Sequence, residues 1–62
     1  MSKNNLLSAK ILAERLSIAR PTIYELMRKH SFPRPVKLGS RSLWLEDEVN
    51  AWVNSLAEAR NG

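Results

Sequence analysis

Three observations predict a mainly α-helical fold with one small β-hairpin. Apolar residues recur at helical spacing in three segments, roughly 9–16, 21–30 and 46–59. The first two are separated only by Ser17-Ile18-Ala19-Arg20, so the second helix must turn sharply away from the first. The Pro-rich break Phe32-Pro33-Arg34-Pro35 is then followed by two short stretches that flank Gly39-Ser40. Two crossed helices, a hairpin and a closing helix form a winged helix-turn-helix: a two-helix unit, a two-stranded wing and a C-terminal helix.

Each element has a local cause. Ser8 is a good N-cap for a helix over about Ala9–Leu16, in which Ala9, Leu12, Ala13 and Leu16 make one buried stripe. Ile11 lies off that stripe and is either partly exposed or covered by the C-terminal segment. Ile18 pins the turn. Pro21 suits the first position of the second helix, where φ is already set and no N–H is needed. Ile23, Leu26, Met27 and His30 then form its inward side. The two prolines of Phe32–Pro35 stop that helix and impose extended backbone.

Val36-Lys37-Leu38 alternates, Gly39-Ser40 turns, and Arg41-Ser42-Leu43-Trp44 returns. Glu46, Asp47 and Glu48 open the last helix at its positive dipole end, a capping pattern rather than a metal site. Val49, Trp52, Val53 and Leu56 supply its apolar stripe, and the core use of that stripe predicts a monomer in free solution. Trp44 and Trp52 are both expected in the core. Residues 1–6 read as a flexible N-terminal arm and 7–60 as a single DNA-binding domain of this type.

Charge points to the partner. Residues 1–41 hold nine Lys/Arg against Glu14 and Glu25, a balance of +7, while residues 42–62 hold Arg60 against four acids, a balance of −3. Such segregation suits a polyanion on the first two-thirds of the chain. With no Cys and a single His, thiolate and multi-histidine metal sites are excluded, and no cofactor is expected. The chain has no glycine-rich phosphate loop, and a core this small leaves no room for a catalytic cavity, so an enzyme is not expected. No apolar run approaches a membrane span and no signal peptide is visible, which predicts a soluble cytoplasmic protein without a membrane partner.

The second helix leaves Thr22, Tyr24, Glu25, Arg28 and Lys29 away from its apolar side. A short helix with polar, aromatic and cationic groups outward fits the major groove of double-stranded DNA. Tyr24 either meets a thymine methyl or a phosphate, or packs half-buried on Phe32 or the hairpin. Arg20 and Arg28 are candidates for phosphate or guanine, or are solvated cations. Thr22 bonds a phosphate or caps the helix start. Glu25 accepts from a cytosine amino group or pairs with Lys29, the intrahelical pair being favoured. Lys37 and Arg41, on opposite arms of the hairpin, are expected to face the same polyanion.

Three motifs carry a family likeness: Thr22-Ile23-Tyr24, the F-P-R-P-V-K-L-G-S-R run from Phe32 to Arg41, and W-L-E-D-E-V-N-A-W from Trp44 to Trp52. In this order the chain resembles the AlpA-like prophage regulators, which are related to phage excisionases and to MerR-superfamily DNA-binding domains. The resemblance implies the helix from Pro21 in the major groove and a wing around Gly39, Ser40 and Arg41 on the backbone or minor groove. The expected DNA-facing set is therefore Arg20, Pro21, Thr22, Tyr24, Glu25, Arg28 and Lys29 with Lys37, Ser40 and Arg41. Many members carry one more residue between the wing Arg and the following Trp, which implies a tighter wing turn here.

The function expected is sequence-specific transcriptional regulation in a prophage or mobile element. The alternatives are an excisionase-type factor that bends attachment-site DNA, and a basic protein-interaction module. Candidate partners besides DNA are a second copy on adjacent sites, integrase and RNA polymerase.

Overall fold

The computed structural model describes residues 5–61. Its order is β1 (Leu6–Ser8), α1 (Ala9–Leu16), α2 (Arg20–Lys29), β2 (Val36–Leu38), β3 (Arg41–Leu45) and α3 (Glu46–Asn61). The helix-turn-helix and the wing hairpin stand where the sequence places them. The wing, however, belongs to a three-stranded antiparallel sheet of order β1-β3-β2, not to a two-stranded ribbon.

The extra strand corrects the expected arm. Leu6, Leu7 and Ser8 pair with Leu45, Trp44 and Leu43, so Leu6 is part of the sheet. Asn5 is tied in as well: its carbonyl accepts from the Glu46 N–H at 2.9 Å and its amide donates to Glu46 Oε1 at 2.8 Å. Residues 1–4 of the expected arm lie outside the described residues.

Ser8 caps α1, its hydroxyl accepting from the Ile11 N–H at 3.3 Å. The helix ends at Ser17, which adopts the left-handed conformation (φ 59°, ψ 43°) and donates its N–H back to Ala13 and Glu14. That reversal lets α2 leave at once. On α1, Leu12 and Ala13 are buried and Ile11 is 48% exposed, which settles its position in favour of solvent.

The core is Leu7, Leu12, Ala13, Ile23, Phe32, Trp44 and Val49. Trp44 sits at its centre with no exposed surface, and its indole N–H donates to the Pro33 carbonyl at 3.0 Å. This bond ties the Pro-rich segment to the central strand and satisfies a buried donor. Phe32 packs edge-on against Trp52, with centroids 4.8 Å apart, and the Trp52 indole donates to the His30 carbonyl at 3.0 Å. His30 contributes through its backbone: its side chain is exposed rather than inward as expected.

The closing helix also departs from expectation. Val49 is buried and Trp52 partly so, but Val53 and Leu56 are 38% and 50% exposed. A 16-residue helix is about 24 Å long and outruns so small a core. The stripe is therefore not consumed by the fold, and the case for a monomer built on it loses its basis.

Sheet alternation sorts the remaining aliphatics. Leu7 and Trp44 share the core-facing side, which leaves Leu6, Leu45, Leu43, Val36 and Leu38 on the other. Leu6, Val36 and Leu38 are 38–50% exposed there.

Candidate nucleic-acid interface

α2 has one sealed flank and one open flank. Ile23 is fully buried, with Leu26 and Met27 packed against the core. Tyr24, Glu25, Arg28 and Lys29 are exposed, as are Arg20 and Pro21 at the helix start, while Thr22 is partly buried. Ten residues at 1.5 Å each make a rod about 15 Å long, a size the major groove admits.

Tyr24 packs on the hairpin and still stands half open. Its ring stands edge-on to Trp44 of β3, with centroids 6.2 Å apart, yet 46% of its surface is open. Its aromatic neighbour belongs to the hairpin strand, and Phe32 is engaged by Trp52 instead. Glu25 and Lys29 form the intrahelical pair at 3.2 Å. Thr22 does not cap the helix. The N-cap position is Ala19, no side chain closes that end, and the Thr22 N–H donates to the Ala19 carbonyl. The start of α2 thus presents positive dipole density without a protein counter-group.

The hairpin turns on Gly39 and Ser40, between the paired residues Leu38 and Arg41. Gly39 has φ +63° and Ser40 is not in that region, the arrangement of a two-residue turn that needs Gly first. Lys37, Ser40 and Arg41 are all exposed. Lys37 lies opposite Ser42, next in chain to Arg41, so the two cations leave opposite faces of the sheet. They do not share one face of the sheet, because strand alternation outweighs their closeness at the tip.

Although Arg41 is on the face of Leu38 and Leu43, away from the core, it borders a cleft at the helix starts. An open cleft of about 340 Å³ is lined by Ser8, Ala9, Lys10, Arg20, Arg41 and Ser42. It brings together the starts of α1 and α2 and the start of β3. Lys10 was not singled out by the sequence, where it reads as an ordinary solvated lysine; only the packing of three elements places it beside Arg20 and Arg41.

Comparison with known proteins gives this surface a context. The model of the prophage CP4-57 regulatory protein (AlpA) family matches residues 6–57, nearly all of the described fold. The chain belongs to the AlpA family. This AlpA-family chain is also 51% identical over 37 residues to the uncharacterized protein ORF88 of Enterobacteria phage P4. That match covers 58% of the chain and 42% of the relative, so the chain spans less than half the length of that protein. No solved structure matches it.

The AlpA-family match places the chain in a family of prophage regulatory proteins. Among the described residues, no group of three or more His, Cys, Asp or Glu side chains is placed to hold a metal ion. No helix among them is long and apolar enough to cross a membrane. Of the three acids at the start of α3, Glu46 is held by neighbours, while Asp47 and Glu48 are exposed. Glu46 accepts from Asn5 and is paired with Arg15 of α1, and these two groups hold its carboxyl below the usual carboxylate value. This contact locks the first and last helices together outside the core.

Proposed function

We propose that this chain reads duplex DNA in a sequence-dependent way as a transcriptional regulator of a prophage or mobile element. α2 enters the major groove and the wing lies along the backbone or the adjacent minor groove. The observation that carries the reading is the two-sided character of α2. Ile23 has no exposed surface, while Tyr24, Glu25, Arg28 and Lys29 stand open in the basic part of the chain. Docking is electrostatic, through Arg20, Lys37 and Arg41 with the uncapped start of α2. Base preference comes from Tyr24, Glu25 and Arg28, with Thr22 nearer the backbone. A duplex partner places the working protein in the cytoplasm.

Selection of bound sequences from random duplexes, followed by footprinting, tests this directly. A recovered motif protected over one major-groove face supports it. Neutralising about five phosphates gives a slope of log K against log salt near −4 to −5. Equal affinity for heparin and for every duplex sequence would instead make the chain a basic interaction module. Bending of the recovered site in a circular-permutation gel, with stimulation of an integrase, would make it an excision factor.

A further inference from the structure

We propose that the cleft between α1, α2 and β3 seats one phosphate of the DNA backbone, held jointly by Lys10, Arg20 and Arg41. The proposal rests on the DNA-binding reading above and adds a site to it. α1 becomes part of the interface, through a residue outside the recognition helix and the wing.

Three features of the cleft point to an anion. Its lining holds three cations and no carboxylate, and they come from three different elements. The ion pairs formed among the described residues, Arg15–Glu46 and Lys29–Glu25, involve none of the three. Like charges gathered without a counter-ion repel one another, and an entering phosphate reverses the sign of that energy. A concave site of one sign also concentrates its field on a ligand.

The cleft also lies at the starts of two helices. The N–H groups there add positive potential, and at α2 no side chain closes the end. Ser42 adds a hydroxyl donor to the lining.

A phosphate in this position has a mechanical consequence. It touches the helix-turn-helix and the wing at once, so it sets the spacing at which α2 and the hairpin meet their two grooves. Lys10 and Arg41 then act as a unit. Lys37, on the opposite face of the sheet from Arg41, binds separately.

The test uses the full chain and the duplex recovered by selection, with affinity read by fluorescence anisotropy across a salt series. Lys10→Ala and Arg41→Ala are each expected to weaken binding about tenfold. Neither should change the preferred sequence. Because the shared phosphate keeps two cations, each should lower the salt slope by less than the roughly 0.9 of a whole phosphate contact. Lys10 is exposed and alanine favours helix there, so folding, checked by circular dichroism, is retained. A set of duplexes, each with a single neutral methylphosphonate, then locates the contact. One position should weaken the wild type about tenfold and make both substitutions silent, while Lys37→Ala still weakens binding to that same duplex.

Unchanged affinity and slope for Lys10→Ala, with wild-type binding intact, would overturn the clamp and leave the DNA-binding reading standing. So would Lys10 and Arg41 mapping to different phosphates. A wild-type chain that bound no duplex in a salt-dependent way would overturn both.

Discussion

The ring of Tyr24 meets the indole of Trp44 edge-on, with planes inclined at 69°, so the open flank of α2 is braced by the central strand of the wing sheet. Trp44 itself is fixed from behind by its bond to the Pro33 carbonyl and by Leu7 in register on β1. A side chain held on one edge and free over nearly half its surface is oriented before DNA arrives, which lowers the ordering cost of a contact. Tyr24→Ala should therefore cost about 1 kcal/mol of stability from the lost aromatic pair. It should also relax base preference at one position of the site. Tyr24→Phe keeps the edge contact and the fold. If the hydroxyl bonds a phosphate, Phe weakens all sequences alike; if the ring meets a thymine methyl, Phe leaves binding unchanged. Chemical denaturation and competition between duplexes separate these outcomes.

Arg28 and Lys37 differ in what surrounds them. Arg28 is on the open flank of α2 and Lys37 on a wing strand, both exposed. Arg28→Ala should cost about 1–3 kcal/mol on the preferred sequence and much less on others. Lys37→Ala should weaken every sequence by a similar factor and reduce the salt slope by about 1. Affinities on selected and scrambled duplexes at two salt concentrations distinguish the patterns.

Glu46 gives the fold a pH dependence of known sign. Hydrogen bonds from Asn5 and Arg15 lower its pKa from the ordinary value of 4.5. Its stabilising contribution is thus complete above that value and is lost as pH falls through the lower, folded one. Glu46→Gln should flatten the acid side of the stability curve below about pH 4.5 and leave DNA binding at neutral pH unchanged. Urea midpoints from pH 2.5 to 7 test this, and an unaltered acid limb would contradict it.

Two turns make the same demand on backbone, a positive φ, and meet it with different residues. Ser17 closes α1 at φ 59°, where a side chain is strained, so Ser17→Gly should stabilise the fold by about 0.5–1 kcal/mol. Gly39 has φ +63° in open space, so Gly39→Ala meets no neighbour and is opposed by backbone conformation alone. It should cost about 1–2 kcal/mol, felt in the hairpin. Thermal melts give both signs, and DNA affinity should fall only for the Gly39 variant.

Much of the architecture was legible because its causes are local. The spacing of Ala9, Leu12, Ala13 and Leu16, the Ser8 cap, Pro21 at the start of α2, and Gly39-Ser40 each act within a few residues. The pairing of Glu25 with Lys29 is equally local, and it formed as expected. β1 was not legible: Leu6-Leu7-Ser8 is too short to show alternation, and its partner strand lies more than thirty residues away. The misjudged stripe of α3 has a related cause. Val53 and Leu56 repeat at core spacing, but periodicity says which face is apolar and not whether anything covers it.

The candidate interface divides along the same line. From the chain alone came the helix that faces outward, the polar and cationic residues on it, and the basic hairpin beside it, since each follows from spacing within one element. The meeting of Lys10, Arg20 and Arg41 in one cleft, the bracing of Tyr24 by Trp44, and the separation of Lys37 from Arg41 were decided only by tertiary structure. These depend on how β1 and the helices pack around β3, and contacts between distant segments leave no periodic trace in a sequence.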